Sequence, residues 1–199
     1  MFYEGLLQSP DFEGFPKIPR LNRDVIITEK IDGTNAQIFI SEDGKSMRMG
    51  SRKRWLTRDH DNYGFRAWAR DHFEELLKLG PGRHFGEWWG QGIQRNYGLD
   101  HKRFSLFNVG RWCERGQMPM AGSTFKYVPE CCSIVPILRR HVPFTTVRVE
   151  ECLETLLQYG SAAVPGFMKP EGIVIYHTAG NCLFKVTLEN DEKPKGERQ

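Results

Sequence analysis

An α+β fold, with mainly antiparallel sheets flanked by helices, is the architecture that the 199-residue sequence predicts. Three observations carry it. Short β-branched or alternating apolar runs recur along the whole chain. Only two segments have helical spacing, and both lie between strand runs. Neighbouring runs are joined by Asp-Gly or Gly-Asn turns of the hairpin kind.

The elements follow in order. The first twenty-odd residues are rich in Pro and Gly and are expected to wrap the surface irregularly. Val25-Ile26-Ile27-Thr28 reads as a strand from its β-branched residues. Ala36 to Ile40 reads as a second, Glu42-Asp43-Gly44 as a turn, and Ser46 to Ser51 as a third strand closing a meander. Asn62 to Leu79 has the spacing of a helix, capped by Asp61 or Asn62 and stopped by Gly80-Pro81. Strands return at His84 to Trp88 and Phe104 to Val109. Val149 to Tyr159 forms a second helix, stopped by Gly160. Gly172 to Tyr176 and Cys182 to Val186 flank a turn at Ala179-Gly180-Asn181 and form a hairpin. The division expected is one domain over 1–188 and a charged, flexible tail over 189–199, which lacks large apolar residues. No internal repeat and no low-complexity segment stands out.

A chain of this length can bury roughly 70% of its unfolded surface, so neither disulfides nor a structural metal are needed to fold it. No apolar run approaches the roughly 20 residues of a membrane span. Met1-Phe2-Tyr3-Glu4-Gly5 lacks the pattern of a secretory signal. Cys113, Cys131, Cys132, Cys152 and Cys182 contain no C-x-x-C pair, and no His/Cys group has zinc spacing. They read as reduced packing thiols of a cytoplasmic protein with no membrane partner.

The net charge of +3 is too small to identify a polyanionic partner, but its distribution is uneven. Arg48, Arg52, Lys53, Arg54 and Arg58 crowd together with Trp55 among them. Basic side chains neutralise phosphates and an aromatic ring can stack on a base. A solvated basic hairpin is the alternative, and charge alone leaves both open.

Several residues have chemistry in their positions. Lys30 ends a strand at Lys-Ile-Asp-Gly. A lysine nucleophile must lose its proton, which near neutrality requires its ordinary value of about 10.4 to fall by about 3 units. Gly33 permits close backbone approach to a ligand. Ser51-Arg52 offers a bidentate contact to phosphate or hydroxyl. Glu87 stands in the aromatic strand Phe85-Gly86-Glu87-Trp88-Trp89, where a carboxylate needs a partner. Phe104-Ser105-Leu106-Phe107 is expected to put both phenylalanines on one face. Glu171 opens an apolar strand. Lys185 sits inside one, where an interior lysine needs an anion.

The order Lys-x-Asp-Gly, Ser-Arg, Gly-Glu, aromatic strand, Glu-Gly-Ile-Val and strand lysine resembles the covalent nucleotidyltransferase superfamily of ligases and mRNA-capping enzymes. Within it, Glu29-Lys30-Ile31-Asp32-Gly33-Thr34-Asn35 and Gly86-Glu87 followed by Gly92-Ile93-Gln94-Arg95-Asn96 resemble the RNA-ligase-2-type family. The resemblance spans Asp24 to Thr187. It implies a nucleotidyltransferase (adenylation) domain that forms lysyl-AMP on Lys30 from ATP, with Mg2+ or Mn2+. AMP then passes to an RNA 5′-phosphate, which is sealed to a 3′-hydroxyl. Glu171 and Lys185 join Lys30 as catalytic residues, the first near the metal and the second on the α-phosphate. Glu29, Asp32, Gly33, Asn35, Arg52, Glu87, Phe107 and Lys185 bind the nucleotide. Phe107, rather than Phe104, matches the adenine-stacking aromatic, and Glu171 with Asn35 would serve the metal. DNA ends, or a nucleic-acid-binding module without catalysis, are the alternatives. Two departures stand out. Relatives often carry Lys-x-Lys where Leu183 and Lys185 stand. The chain also ends soon after Lys185, which implies no appended C-terminal domain and sealing that is weak or relies on a helper protein.

Overall fold

A computed structural model describes residues 11–114, 126–189 and 191. Most of the expected tail therefore lies outside the described residues. Glu189 and Asp191 are held: Asp191 accepts the Thr187 N–H at 2.7 Å, and Glu189 lies 3.7 Å from Arg95.

The chain runs through β1 (Asp24–Lys30), β2 (Thr34–Ile40), β3 (Met47–Ser51), α1 (Phe65–Asp71), α2 (Phe73–Leu76), a 3-10 turn (Leu77–Leu79), β4 (Gly82–Gly90) and β5 (Lys102–Leu106). It continues through β6 (Trp112–Cys113), β7 (Lys126–Tyr127), β8 (Cys132–Ile134), β9 (Ile137–Pro143), α3 (Thr146–Tyr159), β10 (Gly172–His177) and β11 (Cys182–Thr187). Two sheets dominate, with strand orders β11-β10-β1-β9 and β3-β2-β4-β5-β8. Their pairings are antiparallel except β5 with β8. The α+β expectation is met.

Local differences have physical causes. The helix expected from Asn62 to Leu79 is three short pieces. His72, at φ −107° and ψ 24°, breaks the turn between α1 and α2. Asp61 still serves its start, accepting the Arg66 N–H at 2.8 Å and the Ala67 N–H at 3.2 Å. The second helix starts earlier than expected because the Thr145 side chain accepts the Arg148 N–H at 3.2 Å. β9 has no counterpart in the sequence reading. Its pairing with β1 is interrupted by two register shifts, and bulges of this kind erase the two-residue alternation that marks a strand.

Alternation in β1, β10 and β11 divides their side chains between two environments. Val25, Ile27, Ile173, Ile175 and Val186 pack with Cys152 and Leu156 of α3. Ile26, Thr28, Lys30, Val174, Tyr176 and Lys185 face a cavity. The second sheet buries Ala36, Ile38 and Ile40 against Phe65, Ala69, Leu76 and Leu79 of the helical layer, with Trp88 and Phe104 in the same core. Its other face carries Asn35, Gln37, Phe85 and Glu87 into the same cavity. The site thus lies where the free faces of the two sheets meet.

Candidate active site

The cavity has a volume of about 910 Å³. Lys30 stands at one end of it. The antiparallel register pairs Lys30 with Gly172, so Glu171 arrives beside it, and the lysine Nζ donates to Glu171 Oε2. Glu171 is buried and Lys30 is one-fifth exposed. Gly172 has φ 150°, and a Cβ there would sit 2.2 Å from the Val186 carbonyl oxygen. Only glycine lets the chain bring Glu171 this close to β11. The charged partner that Lys30 meets is a carboxylate.

Glu87 is the cross-strand neighbour of Asn35. Its Oε2 accepts from Asn35 Nδ2 at 2.9 Å and its Oε1 from the Gly33 N–H at 3.2 Å. Burial pushes its carboxyl up to about 7, against the opposing pull of Lys30 and of these two hydrogen bonds. Glu29 is almost fully buried. Ser161 Oγ donates to its Oε1 at 2.6 Å and the Ala163 N–H to its Oε2 at 2.9 Å. Burial raises this carboxyl too, although both hydrogen bonds lower it.

The other sequence-derived residues sort as follows. Arg52, Asn35, Glu29, Glu87, Phe107 and Lys185 all line the cavity with Lys30. Lys185 is an exposed residue of an edge strand at the cavity wall, not an interior lysine. Leu183, two residues before Lys185, lines the same wall. Phe104 and Phe107 do not share a face: residues three apart in an extended chain point oppositely, and Phe107 follows the end of β5 at Leu106. Phe104 is fully buried, whereas Phe107 is 40% exposed. Asp32 and Gly33 stand behind Lys30 rather than in the cavity lining. Asp32 accepts from Arg95 Nε at 3.2 Å, and its N–H donates to the Tyr97 hydroxyl at 2.9 Å. The close approach at Gly33 is to the protein itself: a Cβ there would sit 2.5 Å from the Trp88 carbonyl oxygen.

Tyr97, Ser161 and Ala163 are supporting residues that no sequence motif singled out, and Arg95 entered only as part of the Gly92–Asn96 run. Phe167, from the loop after α3, packs on Tyr97 with ring centres 4.6 Å apart. Arg95 Nη1 donates to the Lys169 carbonyl at 3.0 Å. The small-residue run Gly160-Ser161-Ala162-Ala163, directly after a helix stop, was the available signal of a tight loop.

Among the described residues, no group of three or more His, Cys, Asp and Glu is placed to hold a metal. Among the described residues, no helix is long and apolar enough to cross a membrane. None of the five cysteines is joined in a disulfide.

No curated protein sequence matches the chain. Solved structures do. A Naegleria gruberi RNA ligase mutant with ATP and Mn is 19% identical at a TM-score of 0.54, over 83% of this chain and 49% of that one. A second mutant of that ligase with ATP and Mn is 19% identical at 0.57, over 91% and 58%. The same ligase with PPi is 18% identical at 0.53, over 90% and 57%. This chain thus spans about half the length of the RNA ligase chains it matches, and at such identity the likeness is one of fold. The family model described as RNA ligase aligns with residues 23–187, which takes in β1 through β11 and every wall of the cavity. On that match across most of its length, the chain belongs to the RNA ligase family.

Proposed function

We propose that this protein is an ATP-dependent RNA ligase whose nucleophile is Lys30, and that residues 1–188 act as one adenylation unit. The observation that carries the reading is Lys30 hydrogen-bonded to Glu171 at the end of a cavity walled by Phe107 and Lys185. A base stacked on Phe107 would gain about 1–3 kcal/mol. Arg52 and Lys185 supply cations for phosphates. Asn35 and Glu87 present a paired amide and carboxyl to sugar hydroxyls. Asp32 and Gly33 shape the loop behind Lys30, and Glu29 holds the 161–163 loop to the end of β1.

In the first step Lys30 gives up a proton, with Glu171 as the acceptor within reach, and its nitrogen attacks the α-phosphorus of ATP. An N–P bond forms, the α–β P–O bond breaks, and pyrophosphate leaves. An RNA 5′-phosphate oxygen then attacks the same phosphorus, and the N–P bond breaks to return the lysine amine. A 3′-hydroxyl finally attacks the 5′-phosphate, its proton is lost, and AMP departs. The protein's part is positioning and charge neutralisation. Glu171 and Asn35 suit a hard divalent cation that keeps several waters and binds mainly through substrate phosphates. Magnesium or manganese held there would supply neutralisation of phosphate charge. Five cysteines without a disulfide favour a reducing, cytoplasmic setting.

Incubation with α-labelled ATP and magnesium should label the protein. Lys30→Ala should abolish the label and Glu171→Ala should lower it at least tenfold. Label persisting in Lys30→Ala would refute the assignment. A panel of 5′-phosphorylated RNA and DNA ends, scored for adenylylated and joined products, separates RNA from DNA ligation.

A further inference from the structure

The cavity face of the second sheet does not stop at the cavity. From Asn35 and Glu87 it continues away from Lys30 in two-residue steps, through the pairs Gln37–Phe85 and Phe39–Arg83. Arg48 lies beside Phe39 on β3. Trp55 returns to this edge through a bridge with Gly50. The Arg83 guanidinium lies 5.2 Å from the ring centres of both Phe39 and Trp55, and that of Arg48 lies 4.6 Å from Trp55. Arg83 Nη1 also donates to Gln37 Oε1 at 3.0 Å. The turn between Ser51 and Trp55 adds Arg52, Lys53 and Arg54, all exposed. Among the described residues, none of Arg48, Arg52, Lys53, Arg54 and Arg83 has a carboxylate within salt-bridge distance.

This is more than a solvated basic hairpin. Trp55 is occupied by the protein's own arginines, so it positions guanidinium groups instead of stacking on a base. An arginine lying flat on a ring keeps its N–H edge for a phosphate and loses little side-chain freedom on binding one. Arg83 belongs both to this ladder and to the cavity lining, so the two surfaces are continuous.

We propose that the surface from Arg83 through Arg48 and the Ser51–Trp55 turn is a phosphodiester path for an RNA strand leaving the cavity. The identity of the strand rests on the ligase reading above. Two strand steps of two residues place Arg83 roughly 13 Å from Glu87, or about four stacked nucleotides at 3.4 Å each. The path therefore contacts the strand about four or more nucleotides from its reacting end.

The test compares two triple variants with the native protein. Arg48→Gln/Lys53→Gln/Arg54→Gln neutralises the path outside the cavity lining. Arg66→Gln/Arg70→Gln/Lys78→Gln removes the same charge on the helical layer, across the sheet. Anisotropy with 3′-labelled, 5′-phosphorylated RNA is measured for a 12-mer and a trimer across a salt series. Labelling by ATP alone is measured in parallel. The path variant should bind the 12-mer at least tenfold more weakly, with a log–log salt slope smaller by about 2–3. Its trimer affinity and its labelling should stay within twofold of native. Unchanged 12-mer affinity, an equal loss in the helical-layer variant, an equal loss on the trimer, or loss of labelling would each overturn the proposal, as would a native protein that does not bind RNA. A native protein that binds RNA through these charges but takes no label would sink the ligase reading and leave the path standing.

Discussion

Arg95 touches three segments at once. It binds Asp32, two residues past Lys30; the Lys169 carbonyl, two before Glu171; and Glu189, two past the end of β11. It stands in a loop where Gln94, Asn96 and Tyr97 all have positive φ, at 45°, 61° and 53°. Strain of that kind persists only where the surroundings over-determine it. Arg95 thus ties together the segments that carry Lys30 and Glu171, which predicts that it positions the pair. Arg95→Ala should slow self-adenylylation at least tenfold while KM for ATP moves less than threefold. Arg95→Lys should recover little, because one compact ammonium does not reproduce the separated Nε and Nη1 donors that reach Asp32 and the Lys169 carbonyl. A proportionate rise in KM would instead mean that Arg95 serves ATP binding. Glu87 offers a pH test at the same scale. Its folded value is raised to about 7 from 4.5, so between those values the folded state holds the extra proton. Stability contributed by Glu87 should thus fall as pH rises from about 4.5 to 7 and level off above, by no more than about 3 kcal/mol. The melting-temperature advantage of native protein over Glu87→Gln should shrink from pH 5 to pH 8. An advantage that grows over that range would contradict the assignment. Ser161→Ala, which strips a hydrogen bond from the buried Glu29 carboxyl, should cost about 1–3 kcal/mol in denaturant unfolding.

At the scale of elements, α3 backs β1 and so sets where Lys30 points, since Val25 and Ile27 pack against Cys152 and Leu156. Its start depends on Thr145. Thr145→Ala should cost about 1 kcal/mol of stability, and Thr145→Ser should restore most of it. Equal loss in both would remove the cap from the account. The elements differ in how plainly the sequence announces them. β1, β2, β10 and β11 are continuous β-branched or alternating runs, and they were readable because each has one face in a core. β9 carries Arg139, Arg140 and His141 in its middle, with His141 at φ 52°. Its bulges make two residues oppose one, so no period survives for a reader to find. The break at His72 was equally hidden, because Phe65, Ala69, Leu76 and Leu79 keep an apolar side across it.

At the scale of the molecule, the two sheets meet through the cavity, so a ligand that fills it should stiffen both. ATP at 100 times its Kd should stabilise Lys30→Ala, which lacks the proposed nucleophile, by about 2.7 kcal/mol. For a chain of this size that is a rise in melting temperature of roughly 5–10 °C. No shift with ATP and magnesium would argue against the cavity as the nucleotide site. By itself, the sequence determined the α+β class, the nucleophile candidate and the order of the surrounding motifs, because these rest on local periodicity and on residue types at short spacing. Only the tertiary structure decided that the Lys30 amine donates directly to Glu171, that the buried Glu29 holds the 161–163 loop, and that Arg95 ties three distant segments together. It also decided that Trp55 lies under arginines. The Lys30–Glu171 contact depends on strand register across many intervening residues, where a shift of one residue would turn each side chain to the opposite face; the Arg95 and Trp55 contacts depend on where loops far apart in the chain come together.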